Sequence, residues 1–257
     1  MKKQIGIVGG GVVGMAVKAQ YPEAKIFDKY RELNSWEEVS ESEVIFICVP
    51  TPFDGGCDIS AVEETLKKLR NDKGKIAVIK STVVPGTTEK LQEQYPDVPL
   101  LFNPEFLDDR TAREDFVRPD KQIVGYTKAS KGVANEVLEM LPIAPFSKIM
   151  TATEAEIVKY MVNTYYATKV VFANQFYDIC ERTGVNFDEV RAAFESDRRV
   201  APGNFDVWHG GFRGFGGKCL PKDLESLLAQ AKNMGIELPL LSAVREINNN
   251  LLKKKDL

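Results

Sequence analysis

The chain has 257 residues, of which 44% are hydrophobic and 28% charged, and its formal net charge is −3 at pH 7. This composition is ordinary for a globular protein, and the length suffices for one large domain or two smaller ones. The acidic balance and the lack of a long basic run argue against a nucleic-acid partner. No apolar run approaches the roughly 18 residues of a membrane-spanning helix, so we expect no membrane partner.

The N-terminal stretch MKKQIGIVGGGVVGMAV places two lysines before apolar residues, as a signal peptide does. Glycines interrupt this run and no small-residue cleavage site follows, so we reject a targeting segment. The four cysteines form no CxxC pair and show no metal-ligand spacing, and the chain has one histidine. We therefore expect no metal site, and a cytoplasmic protein whose cysteines stay reduced.

Short apolar runs alternate with amphipathic stretches over the first half of the chain. The runs predicted as strands are QIGIVG, AKIFD, VIFICVP, KIAVIKST, LLFNPE and KQIVGY, with FSKIM as a further candidate. Several are apolar on both faces, as a buried parallel sheet requires. Helical stretches such as AVEETLKKLRN and TTEKLQEQY lie between them. The pattern predicts an α/β domain with a Rossmann-type doubly wound parallel sheet, at residues 1–148.

The second half of the chain has a helical pattern. From Thr153 to Thr183 there is neither proline nor glycine, and apolar residues recur at helical spacing. This predicts one helix about 45 Å long. The stretches NFDEVRAAFE, PKDLESLLAQAKNMG and PLLSAVREINNNLL also have helical patterns. We predict a helical domain at residues 149–257, interrupted by a loop at 197–218.

The segment IGIVGGGVVG carries Gly9, Gly11 and Gly14 in a GxGxxG pattern between a predicted strand and a predicted helix. The first glycine permits a tight turn, and the second lets a pyrophosphate approach the backbone. The third lets helix and strand pack closely. The helix N-terminus then offers unpaired N–H groups to phosphates. We predict a dinucleotide site here, with Val13 in the same turn.

An acidic residue follows the second predicted strand. Asp28 lies 19 residues after Gly9, near the spacing of about 20 at which an acid binds the ribose. A carboxylate there accepts a hydrogen bond from a 2′-hydroxyl and repels a 2′-phosphate, which favours NAD over NADP. Lys29 and Arg31 follow closely and leave NADP open.

Polar side chains follow three other predicted strands. Thr51 follows the third, Ser81 and Thr82 the fourth, and Asn103 and Glu105 the fifth. Each alone is compatible with ordinary capping. Because ligands bind at the carboxyl ends of the strands in such sheets, their convergence predicts a site beside the cofactor.

The long predicted helix carries Glu156, Lys159 and Asn163 at i, i+3 and i+7, which places all three on one face. One interpretation is a solvated polar face. The surrounding stretch EIVKYMVNTYYATKVVF is largely apolar, however, which favours enclosure of these side chains.

The segments NPEFLDDRTAREDF, AEIVKYMVNTYYATK and GFGGKCLPKD, in this order behind a GxGxxG, resemble the UDP-glucose 6-dehydrogenase family of nucleotide-sugar dehydrogenases. That family also includes GDP-mannose dehydrogenases, and the resemblance extends from Ile5 to about Asn248. It implies oxidation of UDP-glucose by two NAD⁺ to UDP-glucuronate, a precursor for polysaccharide biosynthesis. Such enzymes continue into a C-terminal nucleotide-binding domain, so this sequence resembles a short form or part of a longer protein.

Cys219 stands between a glycine-rich turn and a proline that can open a helix, so it is either a structural thiol or a nucleophile. The resemblance favours the nucleophile. A thiolate adds to the aldehyde made by the first oxidation, and the resulting thiohemiacetal loses a second hydride. Hydrolysis of the thioester then gives the carboxylate.

The resemblance also implies roles for other residues. Lys159 would stabilise developing oxyanions, with Asn163 and Asp223 positioning that lysine and a water. Thr82 would hold the water near the nicotinamide, and Glu105 would serve acid–base steps. Further cofactor contacts are implied for Thr51, Asp109 and Lys222, and further sugar-nucleotide contacts for Asn103, Phe106, Leu107, Arg199, Phe215 and Gly216.

The long predicted helix needs apolar cover over more than one face, which predicts a homodimer built on this helix and its neighbours. The resemblance implies that Arg199 reaches the partner's site. Asp109 stands where the family usually has glutamate, which weakens that cofactor contact. Trp208 and Arg213 are candidate local contacts for the base and diphosphate. Alternative interpretations are oxidation of GDP-mannose or another UDP-sugar, or a catalytically silent NAD-binding or dimerisation module that needs a partner.

Overall fold

The computed structural model describes residues 3–70, 74–201, 203–209 and 211–253. The chain divides into two compact units, Met1–Lys159 and Tyr160–Leu257. The domain boundary at residue 148 stays a prediction. The last residue of the predicted helix AVEETLKKLRN and the last four residues of the predicted helical domain lie outside the described residues.

The first unit contains a seven-stranded sheet with the order β2–β1–β3–β4–β5–β6–β7. All seven predicted strands are present, and they confirm the α/β fold. Their bounds are β1 (Ile5–Val8), β2 (Lys25–Phe27), β3 (Val44–Ile47), β4 (Ile76–Ile79), β5 (Leu100–Phe102), β6 (Lys121–Tyr126) and β7 (Phe146–Thr151).

One strand pairing departs from the predicted parallel pattern. Strands β1 to β5 pair in parallel, whereas β6 is antiparallel to β5, with Leu101 opposite Tyr126 and Phe102 opposite Gly125. Strand β7 then runs parallel to β6. The pattern of apolar residues is the same for a buried strand in either direction, so the sequence did not reveal this reversal.

Helices cover both faces of the sheet. They are α1 (Val12–Gln20), α2 (Trp36–Ser40), α3 (Ser60–Leu69), α4 (Thr87–Gln94), α5 (Ala112–Val117) and α6 (Ala134–Met140). Ile45 and Ile47 point to the face covered by α2, α3 and α4. Val44 and Phe46, which alternate with them along β3, point to the face covered by α1, α5 and α6. Both faces are buried, which explains why these strands are continuously apolar.

The order of the strands creates a crevice beside β1. The chain passes from β1 to the edge strand β2 and then returns to β3 on the other side of β1. The loops after β1 and β3 therefore diverge at the carboxyl edge of the sheet. Ligands of doubly wound sheets bind at such a reversal.

The long predicted helix is present as α7 (Ala152–Thr183), 32 residues and about 48 Å long. Its start is fixed by Glu154, whose carboxylate accepts hydrogen bonds from the backbone N–H and hydroxyl of Thr151. It ends before Gly184, whose φ of +70° lies in the left-handed region that favours glycine. The prediction of Thr153–Thr183 is confirmed, with the start one residue earlier.

The second unit is mainly helical, as predicted. It contains the rest of α7, α8 (Phe187–Glu195), α9 (Leu220–Asn233) and α10 (Pro239–Lys253). Its core joins α7, α9 and α10 through Ala167, Val171, Phe215, Leu224 and Val244. The predicted loop at 197–218 contains a small hairpin, β8 (Trp208–His209) with β9 (Phe212–Arg213). Within the described ranges, no helix is both long and apolar enough to cross a bilayer.

Candidate active site

The loop between β1 and α1 has the geometry that its three glycines predict. Gly9 has φ +105°, and a Cβ there would lie 2.4 Å from the carbonyl oxygen of Cys48. A Cβ on Gly14 would lie 1.8 Å from the carbonyl oxygen of Gly9. A Cβ on Gly11, by contrast, would meet no described atom within 4 Å. Two glycines therefore permit the tight packing of the loop, and the third leaves open space for a ligand.

Asp28 immediately follows β2 and faces this loop. Its Oδ2 accepts a hydrogen bond of 2.6 Å from the Gly10 N–H, and its Oδ1 accepts one from the Tyr30 N–H. An ionised carboxylate has about four acceptor positions, so ribose hydroxyls can still bind. Arg31 donates a hydrogen bond to the carbonyl of Gly10.

Helix α1 begins at Val12 beside this loop. Among the described residues, no side chain caps the helix N-terminus at Gly11. Its first N–H groups are therefore available to a diphosphate. Together with the open space at Gly11 and the acid after β2, they fit an adenine dinucleotide, and the arrangement is that of a dinucleotide-binding domain.

Two of the predicted residues meet at the ends of β3 and β4. The Thr51 hydroxyl donates a 2.7 Å hydrogen bond to the carbonyl of Thr82. The Cys57 thiol lies 3.7 Å from the same oxygen. The Ser81 hydroxyl donates to the carbonyl of Val49 at 2.7 Å. The loop after β4, which carries Thr82, is thus fastened to the loop after β3.

Glu105 and Lys159 form a buried ion pair within the first unit. The Lys159 ammonium lies 2.8 Å from Glu105 Oε1, and the two side chains are 4% and 11% exposed. Glu105 Oε2 accepts a hydrogen bond from the Leu107 N–H. Burial tends to raise the pKa of the Glu105 carboxyl, but Lys159 and this backbone donor outweigh it, so the pKa is lowered. The pair places a hydrogen-bond donor for an oxyanion beside an ionised base.

The rest of the predicted segment after β5 lies around this pair. Two ammonium groups lie near the Phe106 ring, that of Lys159 at 5.5 Å and that of Lys121 at 4.1 Å from its centroid. Leu107 is half-buried, whereas Asp109 is exposed. Phe106 thus borders the ion pair.

Asn103 is fully buried, and its amide is engaged within the protein. Oδ1 accepts a 2.7 Å hydrogen bond from Lys80, and Nδ2 donates one of the same length to the carbonyl of Ile123. Burial lowers the pKa of Lys80 to about 8. Lys80 was not among the predicted site residues, although a lysine directly after the apolar run IAVI is a detectable signal.

The polar face of α7 is enclosed. Glu156, Lys159 and Asn163 are 0%, 3% and 7% exposed, which confirms the predicted enclosure and excludes the solvated face. Glu156 accepts hydrogen bonds from the Gly86 N–H at 2.6 Å and from the N–H and hydroxyl of Thr88 at 2.8 and 2.6 Å. Burial raises the pKa of Glu156 to about 7, against the effect of these bonds.

In the second unit, Asp223 connects two other predicted residues. Its carboxylate is 1% exposed. Oδ2 accepts a hydrogen bond from the Asn163 amide, and Oδ1 accepts one from the Lys222 ammonium, both at 2.5 Å. The carboxylate thus fixes an amide and an ammonium from two helices.

Cys219 is exposed and occupies the N-cap position of α9. Pro221 lies in the first turn, where its missing N–H has no helical partner in any case. The preceding loop needs glycine at Gly214, which has φ +86° and where a Cβ would lie 2.5 Å from Asn248 Oδ1. The thiol is therefore presented at a helix N-terminus by a tightly packed loop, which argues against a buried structural role.

Phe215 and Gly216 lie in that loop. The Phe215 side chain is 3% exposed, and the Asn248 amide binds its backbone N–H and carbonyl at 2.7 and 2.9 Å. A Cβ on Gly216 would approach the Phe212 ring to 2.9 Å. Phe215 therefore anchors the loop, because its side chain is buried and its backbone N–H and carbonyl are both bound by Asn248.

Three further residues that were predicted as ligand or partner contacts have partners within the unit. Arg199 is exposed and pairs with Asp197. The Arg213 guanidinium pairs with Asp178 at 2.6 Å and stacks on Tyr177, which also packs against the edge of Trp208. Arg213 is thus engaged within the unit.

No three His, Cys, Asp or Glu side chains of the described residues lie close enough together to hold a metal ion.

Comparison with known proteins identifies the family. Residues 21–141 match the NAD binding domain of the UDP-glucose/GDP-mannose dehydrogenase family, and residues 153–250 match its central domain. The glycine loop precedes the first range, so its assignment rests on its geometry. The chain belongs to the UDP-glucose/GDP-mannose dehydrogenase family, whose NAD binding domain confirms the predicted cofactor.

Three similar proteins illustrate the relationship. The UDP-glucose 6-dehydrogenase of Pseudomonas aeruginosa is 35% identical over 82% of this chain and 49% of its own length. The GDP-mannose 6-dehydrogenase of the same organism is 30% identical over 84% of this chain and 53% of its own. The solved UDP-glucose dehydrogenase of Pyrobaculum islandicum has a TM-score of 0.82 and 27% identity, covering 97% of this chain and 68% of that one. The chain spans about half the length of these two curated relatives.

Proposed function

We propose that this chain catalyses the NAD-dependent oxidation of the primary alcohol of UDP-glucose to the carboxylate of UDP-glucuronate. The observation that carries the proposal is the exposed Cys219 thiol at the N-terminus of α9, in a chain that also has a dinucleotide loop. N–H groups at a helix N-terminus favour the thiolate form of a cysteine, and the thiolate is the nucleophile.

The covalent step makes a four-electron oxidation possible at one centre. Bound NAD supplies a hydride acceptor for each of the two oxidations. The first gives an aldehyde and a proton. The Cys219 sulfur adds to the aldehyde carbon, and the resulting thiohemiacetal loses a hydride and a proton to become a thioester. Water then cleaves the thioester to the carboxylate and restores the thiol.

Lys159 and Glu105 are proposed to serve the oxygen and proton chemistry of these steps. The Lys159 ammonium donates hydrogen bonds to the substrate oxygen as negative charge develops on it. Glu105 takes up and returns protons, and its lowered pKa supports the ionised state that a base requires. The Thr82 hydroxyl holds the hydrolytic water.

The remaining predicted residues are proposed to bind and orient the ligands. Asn163 and Asp223 orient the hydrolytic water and the Lys159 ammonium. Asp28, Thr51, Asp109 and Lys222, with the loop at Gly9, Gly11, Val13 and Gly14, hold the cofactor. The sugar nucleotide contacts Glu105, Phe106, Leu107 and Gly216, whereas Asn103 and Phe215, which were predicted beside them, are buried and shape the surrounding loops.

We also propose that the protein is a homodimer in the cytoplasm. An apolar stripe on α7, formed by Met161, Tyr165, Phe172, Phe176 and Ile179, is 41–71% exposed and needs a covering partner. Arg199 would then reach the partner's site. A reducing compartment would keep the exposed Cys219 as a thiol.

The test measures NADH formation by the purified chain with a panel of UDP- and GDP-sugars. UDP-glucose is expected to give two NADH per molecule and a uronate. GDP-mannose is the second candidate, because a relative of that name is 30% identical to the chain. A higher rate with GDP-mannose, or with another UDP-sugar, would reassign the substrate. Absence of NADH with every sugar nucleotide would favour a catalytically silent NAD-binding or dimerisation module.

A further inference from the structure

A carboxylate on α7 binds the start of α4. Glu156 receives the backbone N–H groups of Gly86 and Thr88 and the Thr88 hydroxyl at 2.6–2.8 Å. These groups lie 68–70 residues earlier in the chain. Glu156 is 0% exposed, and its hydrogen bonds to Thr88 are shielded from water. Glu156 thus caps α4 with a carboxylate, where the helix dipole favours negative charge.

The same loop is fastened at its other end. The carbonyl of Thr82 accepts the Thr51 hydroxyl at 2.7 Å, and Val83 is completely buried. Gly86, with φ +89°, turns the chain into α4. The segment from Thr82 to Gly86 is therefore held at both ends, and Glu156 provides the hold at the Gly86 end.

Glu156 also lies almost one helical turn before Lys159. Residues three apart on a helix share a face, and both side chains are buried. The Lys159 ammonium is itself bound to Glu105 within the same unit. The carboxylate therefore connects the loop that carries Thr82 to the turn of α7 that carries Lys159.

We propose that Glu156 is a positioning residue that fixes Thr82 relative to Lys159 during the oxidation. This rests on the proposed function, in which Lys159 binds the reacting oxygen and Thr82 the water. Misplacement of such groups by about 1 Å can cost up to about a hundredfold in rate.

Three hydrogen-bond donors, the Gly86 N–H and the N–H and hydroxyl of Thr88, face the side chain of residue 156, and this arrangement favours a carboxylate. Each oxygen of Glu156 faces a donor, and a carboxylate has acceptors alone. In Glu156→Gln the amide nitrogen must face either the Gly86 N–H or the two donors of Thr88. The glutamine keeps at most two of the three hydrogen bonds, although its size is unchanged.

The first test compares Glu156→Gln with Glu154→Gln, which removes an exposed carboxylate on the same helix. We expect Glu156→Gln to lower kcat about tenfold or more at pH 8, with KM for NAD⁺ within about threefold of wild type. Glu154→Gln is expected to retain wild-type kcat. Wild-type kcat in Glu156→Gln, or an equal loss in both variants, would overturn the proposal.

A double-mutant cycle separates positioning from general destabilisation. If Glu156 acts through Thr82, then Glu156→Gln lowers kcat by less than about twofold in a Thr82→Val background. Equal fold-losses in both backgrounds would overturn the proposal. Should Glu156→Gln fail to fold, Thr88→Val removes one of the three donors and is expected to lower kcat several-fold; wild-type kcat in that variant would contradict the proposal.

Amide hydrogen exchange distinguishes failure of this proposal from failure of the proposed function. In Glu156→Gln the amides of residues 82–84 and 86–88 should exchange at least about tenfold faster than in wild type and in Glu154→Gln. A wild-type chain inactive on every sugar nucleotide would refute the proposed function, and the exchange experiment would still test the positioning. Unchanged exchange rates in this segment would overturn the proposal that Glu156 positions Thr82.

Discussion

The ammonium of Lys159 lies 2.8 Å from Oε1 of Glu105, and both side chains are almost completely buried. Removing one member of a buried pair leaves the other charge without compensation. We expect Lys159→Met to lower the free energy of unfolding by about 3–5 kcal/mol. Adding Glu105→Gln should recover part of that loss, because the uncompensated carboxylate is gone. Urea unfolding of the single and double variants measures both effects.

The matched control for this pair is Asp108→Asn. Asp108 pairs with Arg110 at the same distance of 2.8 Å, but both side chains are exposed. An exposed pair contributes less than about 1 kcal/mol. If Asp108→Asn destabilised the protein as much as Lys159→Met, the burial argument for the Glu105–Lys159 pair would be wrong.

The glycine loop gives two substitutions with opposite outcomes. In Gly14→Ala the methyl group would lie 1.8 Å from a carbonyl oxygen, so the backbone must move, and we expect a loss of at least about 2 kcal/mol in stability. In Gly11→Ala the methyl group meets open space, so stability should change by less than about 1 kcal/mol. Affinity for NADH should still fall about tenfold, because the methyl group blocks the approach of the diphosphate.

Urea unfolding and NADH fluorescence titration measure these two quantities separately. Unchanged NADH affinity in Gly11→Ala would contradict the placement of the diphosphate beside that residue. A fully stable Gly14→Ala protein would contradict the close packing of α1 against the loop.

The stability of the protein should depend on the ionisation of Glu156. Burial raises the pKa of this carboxyl from 4.5 to about 7. Between these values the folded chain holds the proton more tightly than the unfolded chain, so stability falls as pH rises from about 4.5 to 7. The corresponding loss is of the order of 3 kcal/mol.

The measurement is the difference in free energy of unfolding between wild type and Glu156→Gln from pH 4 to 8. Contributions of other titrating groups largely cancel in this difference. Wild type should lose stability relative to the variant as pH rises to 7 and remain constant above it. A difference that grows in the opposite direction would show that the hydrogen bonds, rather than burial, set the pKa of Glu156.

Cys219→Ser tests the covalent route. The serine hydroxyl is a poor nucleophile at neutral pH, so the overall rate to the uronate should fall by about 10³-fold or more. Residual turnover should stop near the aldehyde, with fewer than two NADH per substrate. Cys180→Ala, which removes a buried thiol on α7, should keep the wild-type stoichiometry. Uronate formation at a near wild-type rate by Cys219→Ser would exclude the covalent mechanism.

The apolar stripe on α7 predicts the oligomeric state. Met161 and Ile179 are 71% and 55% exposed, and replacing both by aspartate should raise the dimer dissociation constant by at least about a hundredfold. Glu181→Gln is the control, since it lies about 200° around the helix from Ile179. Light scattering over a range of concentrations measures the change. A wild-type monomer with full activity would contradict the proposed dimer.

Periodicity and glycine spacing were enough to predict most of the fold. The seven strands are short apolar runs, and α7 is a long stretch without helix-breaking residues. The direction of β6 could not be predicted, because burial on both faces gives one pattern for both directions. The hairpin at Trp208 and Phe212 consists of two-residue strands, which are too short to show an alternation.

The sequence predicted where the candidate site residues lie, but not which groups they bind. Spacing placed Glu156, Lys159 and Asn163 on one face, and all three are buried. The partners of Glu156 lie 68–70 residues away, and nothing local in the sequence specifies such pairs. Asn103 was predicted at the edge of the sheet as a ligand contact, yet its amide binds Lys80. An asparagine at a strand end can also supply hydrogen bonds to buried polar groups of the protein.

The first turns of α7 also determine when the first unit can be completed during synthesis. Ala152 and Ala155 belong to the core on one face of the sheet, and Glu156 supplies the cap of α4. Helix α4 has eight residues, and isolated helices of that length are unstable in water. Domains form as the chain emerges from the ribosome. Strands β1 to β5 are therefore translated well before the residues of α7 that cover one face of the sheet. Until residue 156 has emerged, that apolar face stays incompletely covered and can associate with other chains.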